Sequence, residues 1–236
     1  MKSLSIDHER YSMQAQWTKP FREFILDHFL YNKDLSVLEV GCGTGAILDC
    51  IKNEYDGNIS KIVGIDIDLQ SLKFCKQNNN YDKIQSTGEN LPFMNNAFDL
   101  VFCHFFLMWI SKPVRVLKEM KRVTKIGGIC TAMAEPCYSE LVAEPDELLQ
   151  LSYMQINKLR EAGADTNTGS KIYDYFSQAG FTNVKSNKYK TGIQNKSHLE
   201  NEIKQILIDC KMDRFNIKIS NTTKYNVSTY YAYAIK

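Results

Sequence analysis

The hydrophobic pattern of the chain changes from strand-like to helix-like around a short glycine-rich stretch. The run from Val37 to Val40 is mainly apolar and rich in β-favouring residues, and three glycines spaced two residues apart follow it. Apolar residues then return at helical spacing, at Ile47, Leu48 and Ile51. This succession predicts a buried strand, a tight glycine loop and a helix.

Similar patterns along the rest of the chain predict an alternation of strands and helices. Amino-terminal helices are predicted between Ile6 and Leu30, with a break near Pro20. Further strands are predicted at Lys61–Ile65, Ile84–Ser86, Leu100–Cys103, Ile129–Ala134, Phe181–Tyr189 and Thr229–Ile235. The segment from residue 135 to residue 168 is too long for an ordinary strand-to-helix connection, and its apolar spacing predicts an inserted helix.

Length and charge narrow the functional classes. The 236 residues suit one α/β domain with added segments. The 29 basic and 27 acidic residues give a net charge of +2, which provides no electrostatic footprint for nucleic acid or for an anionic membrane. No apolar run approaches membrane-spanning length, and the polar stretch from Met1 to Arg10 is unlike a secretory signal. A small-molecule partner is therefore expected.

The seven cysteines are scattered along the chain, and no close pair has the spacing of a metal site. Their odd number and largely apolar surroundings predict reduced thiols in a cytoplasmic protein rather than a disulfide framework. No metal ion is expected.

The glycine loop has the properties of a cradle for a small ligand. Gly41, Gly43 and Gly45 lack the Cβ atoms that would hold a ligand away from the backbone, and they tolerate positive φ angles. At the carboxyl end of a parallel strand, the loop amides and the positive end of the next helix would face the ligand. A dinucleotide fingerprint places its third glycine one residue later, and Glu39 would repel a phosphate but favour a cationic ligand.

Asp66 is a second candidate ligand-binding group. It ends the predicted strand Lys61–Ile65 and follows Gly45 by 21 residues. A carboxylate at this separation, on the end of the neighbouring parallel strand, is typical of one that accepts hydrogen bonds from both hydroxyls of a ribose. Asp68 is predicted instead to cap the following helix.

The acid-x-Gly-x-Gly-x-Gly stretch from Glu39 to Gly45 resembles the first motif of the class I S-adenosylmethionine-dependent methyltransferases, and the resemblance is strongest between Val37 and Ala134. It implies an α/β fold, a three-layer αβα sandwich around a Rossmann-like, seven-stranded, mostly parallel sheet whose last strand is antiparallel. We expect residues 1–34 to form a helical lid, residues 35–236 the methyltransferase domain, and residues 135–168 an inserted helical cap within it.

The resemblance also implies a set of residues that bind S-adenosylmethionine. The glycine loop would hold the methionine part, Asp66 the ribose and the Thr87 loop the adenine, while Tyr11 on the lid would face the sulfonium. Thr87 stands where the family usually has Asp or Asn, so adenine recognition is expected to depend on backbone groups and apolar stacking. The predicted cofactor-binding positions are Tyr11, Glu39, Gly41, Cys42, Gly43, Gly45, Asp66, Ile67, Thr87, Gly88, Glu89 and Cys103.

The acceptor side of the site is predicted from the residues that follow the central strands. His104 comes directly after the strand Leu100–Cys103, and its imidazole makes it a candidate general base, with a purely structural position as the alternative. Glu135 and Tyr138 are candidate substrate contacts, and they lie within the predicted insertion.

The function expected from these features is transfer of a methyl group from S-adenosylmethionine to a small molecule by in-line displacement. Alignment and exclusion of water can supply much of the catalysis in such a reaction, so no catalytic triad is required. The alternatives are a protein or peptide side-chain methyltransferase, a non-catalytic S-adenosylmethionine-binding module and a nicotinamide-dependent oxidoreductase. The acceptor's identity and the oligomeric state are left open.

Overall fold

The fold is described from a computed structural model that covers residues 4–29, 34–76, 81–189, 196–212, 219–220 and 222–236. Residues 1–3 and 30–33 of the predicted lid segment lie outside these ranges. The strands are β1 (Leu35–Val40), β2 (Ile59–Asp66), β3 (Asp82–Gln85), β4 (Phe98–Cys103), β5 (Thr124–Glu144), β6 (Lys185–Lys188) and β7 (Lys224–Ile235). The α-helices are α1 (Leu4–Trp17), α2 (Lys19–Phe29), α3 (Ala46–Tyr55), α4 (Leu69–Lys76), α5 (Pro113–Val123), α6 (Asp146–Glu161), α7 (Ile172–Gln178) and α8 (Lys196–Asp209).

The strands form one sheet in the order β3-β2-β1-β4-β5-β7-β6. Strands β1 to β5 run parallel to one another, while β7 is antiparallel to both of its neighbours. Helices α3, α4 and α5 connect β1 to β2, β2 to β3 and β4 to β5, because parallel strands cannot be joined by a tight hairpin. The predicted seven-stranded, mostly parallel sheet with an antiparallel last strand is confirmed.

Helices cover both faces of this sheet. On one face, α2, α3 and α4 pack over a core that includes Val37, Leu48 and Phe102, and on the other face α5 and α7 pack over a core that includes Leu38 and Val101. Val37 and Leu38 contribute to opposite cores because successive side chains of a strand point to opposite faces. The predicted three-layer αβα sandwich is confirmed as well.

Strand β5 is longer than its sequence predicts. Its apolar pattern predicts an end at Ala134, but the strand continues to Glu144. The added residues pair with β7 from Glu135 opposite Tyr230 to Glu144 opposite Lys224. Residues 135–144 of the predicted helical insertion are therefore strand, because a partner strand distant in sequence satisfies their backbone, and the helix of the insertion is α6.

The extended parts of β5 and β7, together with α6 and α8, form a layer with its own hydrophobic core, which we call the cap. The buried residues of that core are Ala143, Leu148, Leu151, Leu199, Ile203, Ile206 and Tyr225. The added part of β5 continues past the carboxyl ends of the parallel strands, so the cap lies at that edge of the sheet.

The amino-terminal helices dock on the sheet and on the glycine loop. In α2, Phe21 stacks on Tyr231 of β7 with 4.1 Å between ring centroids. In α1, Nδ1 of His8 lies 3.0 Å from Oγ1 of Thr44, which places this helix beside the glycine loop. None of the helices within the described ranges is long and apolar enough to cross a membrane.

Candidate functional site

A cavity of about 890 Å³ opens at the carboxyl ends of the central strands. Its walls come from α1, the glycine loop, the ends of β2 and β4, and the cap. Pockets that bury a whole drug-sized ligand measure roughly 300–1,000 Å³, so this cavity is large for a single ligand. The predicted site residues on its lining are Tyr11, Glu39, Gly41, Cys42, Gly43, Asp66, Ile67, His104 and Tyr138.

The glycine loop adopts backbone angles that favour glycine. The φ angles are +77° at Gly41, +50° at Gly43 and +84° at Gly45, all in the region that L side chains rarely adopt. The N–H groups of Gly41 and Cys42 both donate to the carbonyl oxygen of Ile65 at 2.9 Å. The loop is thus fixed against the end of β2.

Two of these glycines face different surroundings. A Cβ atom at Gly41 would overlap the ring of Phe106, whereas the nearest neighbour of a Cβ atom at Gly43 would be Cε2 of Tyr11 at 3.8 Å. The Phe106 ring also reaches Gly88, where a Cβ atom would lie 3.2 Å from Phe106 Cζ. The absence of a Cβ atom at Gly41 therefore lets the Phe106 ring pack against the loop, whereas the space beside Gly43 is part of the cavity.

The predicted adenine loop lies behind Phe106. The hydroxyl of Thr87 accepts a hydrogen bond from the N–H of Glu89 at 3.3 Å, and the Glu89 carboxylate pairs with Arg115 at 3.4 Å. Cys103 is fully buried within β4. The predicted cofactor positions that do not reach the cavity lining are Gly45, Thr87, Gly88, Glu89 and Cys103.

Asp66 is fixed at the end of β2 by two backbone hydrogen bonds. Its Oδ2 accepts from the N–H of Gly43 at 2.7 Å, and its Oδ1 accepts from the N–H of Asp68 at 2.9 Å. Asp68 itself caps α4, since its Oδ1 accepts from the N–H of Gln70 at 3.0 Å. The carboxylate of Asp66 thus faces the cavity from the position beside the glycine loop.

Glu39 places a second carboxyl group under the loop. It is 2% exposed, and its Oε2 has no hydrogen-bond partner among the described residues. Burial raises the pKa of Glu39 well above its ordinary value, and the neighbouring Asp66 adds to this effect. A buried acceptor atom on the cavity lining can be satisfied by a hydrogen-bond donor of a ligand.

His104 lies at the end of β4 in contact with the amino-terminal helices. Its Nε2 is 3.2 Å from Oγ1 of Thr18, and the nearby Arg22 guanidinium is fully buried and donates to the carbonyl oxygen of Ala15 at 2.8 Å. Burial, with a smaller contribution from Arg22, lowers the pKa of His104 to about 3. A neutral imidazole with this pKa is a weak proton acceptor, which favours the structural alternative over a general base.

Glu135 lies behind the cavity wall rather than on its lining. The side chain is fully buried; its Oε1 accepts from the N–H groups of Phe106 at 3.0 Å and Leu107 at 2.7 Å, and its Oε2 accepts from that of Met108 at 3.1 Å. Burial raises the pKa of Glu135 to about 8, against the opposing effect of these donors. Next to them, Phe105 has a φ of +47°. The carboxyl group thus holds the wall-forming turn in shape.

A partly buried ion-pair cluster joins α1 to the cap. Nη1 of Arg10 donates to Oδ2 of Asp209 at 2.9 Å, and Nη2 of Arg10 lies 3.4 Å from Oε1 of Glu202. Both carboxylates come from α8 and line the cavity together with Arg10. The two carboxylates raise the pKa of Arg10 despite burial, so it stays charged.

Three further polar side chains lie next to this cluster on the lining. The Tyr225 hydroxyl is 3.3 Å from Oε1 of Gln155, and Nε2 of Gln155 has no hydrogen-bond partner in the described part of the chain. Burial raises the pKa values of Tyr138 and Tyr225, and nearby Glu202 adds to both effects. We call Arg10, Tyr138, Gln155, Glu202, Asp209 and Tyr225 the polar chamber.

Sequence reasoning identified Tyr138 of this chamber but not its other members. Arg10 and Glu202 are 192 residues apart, and each occurs on a helix whose pattern is compatible with a charged outer face. A motif of fixed spacing is absent when the partners meet only through the tertiary fold. Among the described residues, no group of three or more His, Cys, Asp or Glu side chains could hold a metal ion.

The sheet order and the glycine loop are those of a class I S-adenosylmethionine-dependent methyltransferase. Residues 38–132 match the family described as a methyltransferase domain. The matched range begins in β1 and ends in β5, so it covers the glycine loop, Asp66 and the central strands.

Individual relatives extend the similarity beyond that range. The chain is 28% identical over 192 residues to a demethylmenaquinone methyltransferase from Geobacillus stearothermophilus, covering 73% of this chain and 82% of the relative. A geranyl diphosphate methyltransferase solved in complex with S-adenosylmethionine has a TM-score of 0.58 at 14% identity, covering 95% of this chain and 85% of that one. A chain from a complex with the Haloferax volcanii Trm112 methyltransferase activator has a TM-score of 0.56 at 14% identity, covering 99% and 97%.

Proposed function

We propose that this enzyme methylates a small-molecule acceptor that binds in the polar chamber, while S-adenosylmethionine binds at the glycine loop. The observation that carries the proposal is the continuity of the cavity, which extends from Gly43 and Asp66 to Tyr138 and Glu202. A donor at one end and an acceptor at the other would then share one water-excluding space, as in-line transfer requires.

The residues at the glycine loop fit the methyl donor. The open space beside Gly43 would take its amino-acid part, and Oε2 of Glu39, which has no partner among the described residues, offers an acceptor to its ammonium group. Asp66 would hold the ribose hydroxyls, and the half-exposed Tyr11 would approach the sulfonium. When bound, S-adenosylmethionine supplies a methyl group on a positively charged sulfur. The ring of Phe106 lies between the glycine loop and Gly88. We therefore propose that the adenine contacts Ile67, on the cavity lining, before it reaches the loop at Gly88.

The protein's own contribution would be orientation and exclusion of water. The turn held by Glu135 presents Phe105 and Met108 to the cavity, and α1 closes it with Tyr11 and Trp17. We therefore propose that residues 1–34 act as the lid and that the segment from 135 to 168 forms part of the cap. His104 would serve as a neutral wall residue whose hydrogen bond to Thr18 joins the lid to the sheet.

The proposal is tested by calorimetric titration with S-adenosylmethionine and S-adenosylhomocysteine, followed by an assay of S-adenosylhomocysteine release over a panel of small molecules. We expect binding of both compounds and acceptor-dependent release. Binding without release by any small molecule, with release on addition of peptides, would contradict the proposed acceptor class.

We further propose that the enzyme works in the cytoplasm without nucleic acid. The net charge of +2 supports the absence of a nucleic-acid partner, since such a partner usually requires a basic surface. The relative found with the Trm112 activator raises the question of a protein partner, which light scattering of the purified chain, alone and mixed with an activator, would answer.

A further inference from the structure

One side of α6 lines the cavity and carries the amide of Gln155 beside apolar side chains. Gln155 and Leu159 of α6, and Ala162 directly after it, all contribute to the lining. Their spacing of four and then three residues places them on one side of the helix. Lys158 belongs to the same lining, but its amine pairs with Glu161 at 2.7 Å. An acceptor bound in the polar chamber, as the proposed function requires, would therefore meet Gln155.

The amide of Gln155 is buried, yet only one of its ends is hydrogen-bonded. The side chain is 1% exposed, and its Nε2 has no hydrogen-bond partner among the described residues. Its Oε1 lies 3.3 Å from the hydroxyl of Tyr225, which is itself buried and needs an acceptor for its proton.

The hydroxyl of Tyr225 also decides which way the amide points. If the amide were turned over, its nitrogen would donate to the Tyr225 hydroxyl, and both the phenol proton and the amide oxygen would lack partners within the described ranges. Keeping Oε1 toward Tyr225 leaves a single group of the pair unsatisfied. Gln155 therefore offers an N–H donor, and not an acceptor, to a ligand in the cavity.

Arg10 holds a second unpartnered donor of the same chamber. Its Nη1 donates to Asp209 at 2.9 Å and its Nη2 lies 3.4 Å from Glu202, whereas its Nε has no partner in the described part of the chain. The positive charge of Arg10 is already shared between two carboxylates. Its Nε thus offers a ligand a hydrogen bond rather than an uncompensated charge.

These two N–H groups define the chemistry that a ligand of the chamber must supply. A ligand that displaces water from Gln155 must bring an acceptor atom, because a buried donor left without a partner costs more than one hydrogen bond gains. Sites of this kind therefore discriminate against analogues that lack the polar atom. An anion would gain little from a guanidinium that is already paired, so a neutral oxygen meets the requirement.

The surface around Gln155 fits an apolar body for such a ligand. On β7, Tyr225, Val227 and Thr229 all line the cavity, because alternate residues of a strand share one face. Val227 and Leu159 are the apolar members of the two facing elements. A ligand held at its oxygen by the amide can thus bury its remaining atoms against these side chains.

We propose, building on the proposed function, that the acceptor is a neutral molecule whose carbonyl oxygen accepts a hydrogen bond from Nε2 of Gln155 and whose apolar body contacts Leu159 and Val227. Gln155 is then a specificity-determining residue: it selects the acceptor and orients it toward the methyl donor at Gly43. The Nε–H of Arg10 is available to a further oxygen of the same ligand.

The test measures equilibrium dialysis of three probes with the enzyme saturated with S-adenosylhomocysteine. The probes are acetophenone, its near-isostere α-methylstyrene, in which a CH₂ group replaces the carbonyl oxygen, and benzoate. We expect acetophenone to bind more tightly than benzoate. In Gln155→Met, which keeps the length of the side chain and removes its donor, the ratio of acetophenone affinity to α-methylstyrene affinity should fall at least about fivefold, the size of one hydrogen bond.

Gln205→Met is the matched control. Gln205 is a second buried glutamine of the cap, 9% exposed, and its Oε1 also lacks a partner among the described residues, but it is absent from the cavity lining. The affinity ratio should stay within about twofold of wild type in this variant, as expected when the ligand's hydrogen bond is kept. The ratio cancels the general difference in hydrophobicity between the two probes.

A second measurement does not depend on the folding of any variant. In the wild-type enzyme, the side-chain amide protons of Gln155, followed by NMR, should shift downfield on addition of acetophenone and not on addition of α-methylstyrene.

The outcomes separate this inference from the proposed function. No binding of acetophenone, tighter binding of benzoate, an unchanged affinity ratio in Gln155→Met or an unmoved Gln155 amide signal each overturns the carbonyl proposal. S-adenosylmethionine binding and turnover of other small molecules would then leave the methyltransferase function intact. Failure of the wild-type enzyme to bind S-adenosylmethionine overturns the proposed function itself.

Discussion

The carboxylate of Asp66 accepts a hydrogen bond from the backbone N–H of Gly43 at 2.7 Å, which joins the ends of β1 and β2 at one point of the cavity. Both partners line the cavity, so a ligand that touches the loop also meets the carboxylate. Because the carboxylate that accepts from Gly43 also lies on the cavity lining, we expect Asp66 to affect both the loop geometry and ligand binding.

We expect Asp66→Ala to weaken S-adenosylmethionine binding by at least ~1.5 kcal/mol, the size of a hydrogen bond to a charged group. Isothermal titration calorimetry measures this change, and circular dichroism checks that the variant is folded. Asp68→Ala is the matched control, because that residue caps α4 and is absent from the cavity lining. Equal affinity of wild type and Asp66→Ala would remove Asp66 from the cofactor site.

The two glycines that face different surroundings should respond differently to alanine. Gly41→Ala should unfold at lower urea concentration, because the new Cβ atom meets the Phe106 ring and overpacking typically costs about 1–3 kcal/mol in addition to the cost of a positive φ. Gly43→Ala should keep most of its stability, with about 1–2 kcal/mol lost to the positive φ alone, but bind S-adenosylmethionine poorly because the methyl group occupies the cradle. Urea unfolding curves measure the stability of both variants, and calorimetry measures their affinity for S-adenosylmethionine. A larger loss of stability in Gly43→Ala than in Gly41→Ala would contradict this prediction.

The buried carboxyl of Glu135 makes stability depend on pH. Its pKa, about 8 in the folded protein, lies above the ordinary 4.5, so the native state binds the proton more tightly than the unfolded state. The free energy of unfolding should therefore fall as pH rises from about 4.5 to about 8 because of this group.

Glu135→Gln should remove that dependence. The variant loses the bond to the Met108 N–H, a loss of about 1–3 kcal/mol at low pH, and its deficit relative to wild type should shrink as pH rises. Urea denaturation across the pH range measures the deficit. Glu144→Gln on the same strand, an exposed partner of Lys224, should change stability by less than about 1 kcal/mol at every pH. A deficit that widens with pH would mean that Glu135 is charged throughout.

His104 affects acid stability in the opposite sense. Its folded pKa of about 3 lies below the ordinary 6.5, so the unfolded chain takes up the proton first. The contribution of neutral His104 is complete above pH 6.5 and is lost as pH falls toward 3. His104→Gln should lose less stability on acidification than wild type does, as urea unfolding at several pH values would measure. Parallel curves for the two proteins would show that His104 does not titrate in this way.

Much of the sheet could be predicted because its signals are local. The apolar run before Gly41 and the helical spacing after it fixed the β1–α3 unit, and Asp68 was recognisable as a cap from its position before an apolar periodicity. Such signals depend on a few neighbouring residues, so tertiary contacts change them little.

The cap and the polar chamber depended on contacts that local patterns do not encode. Residues 135–144 became strand because β7 pairs with them from about 90 residues away, as in the pairing of Glu135 with Tyr230. From its carboxyl group alone, Glu135 was predicted to contact the substrate. In the folded chain this carboxyl group instead accepts three backbone hydrogen bonds from the turn that follows β4. Arg10 likewise acquires its role only when α8 folds against α1.

The separate hydrophobic core of the cap has an evolutionary consequence. Side chains on α6 and α8 can be exchanged while Ile203 and Leu148 keep the layer folded, and the strand ends with Gly43 and Asp66 are untouched. The choice of acceptor can therefore change between related enzymes through substitutions in the cap, while the glycine loop and Asp66 are inherited unchanged.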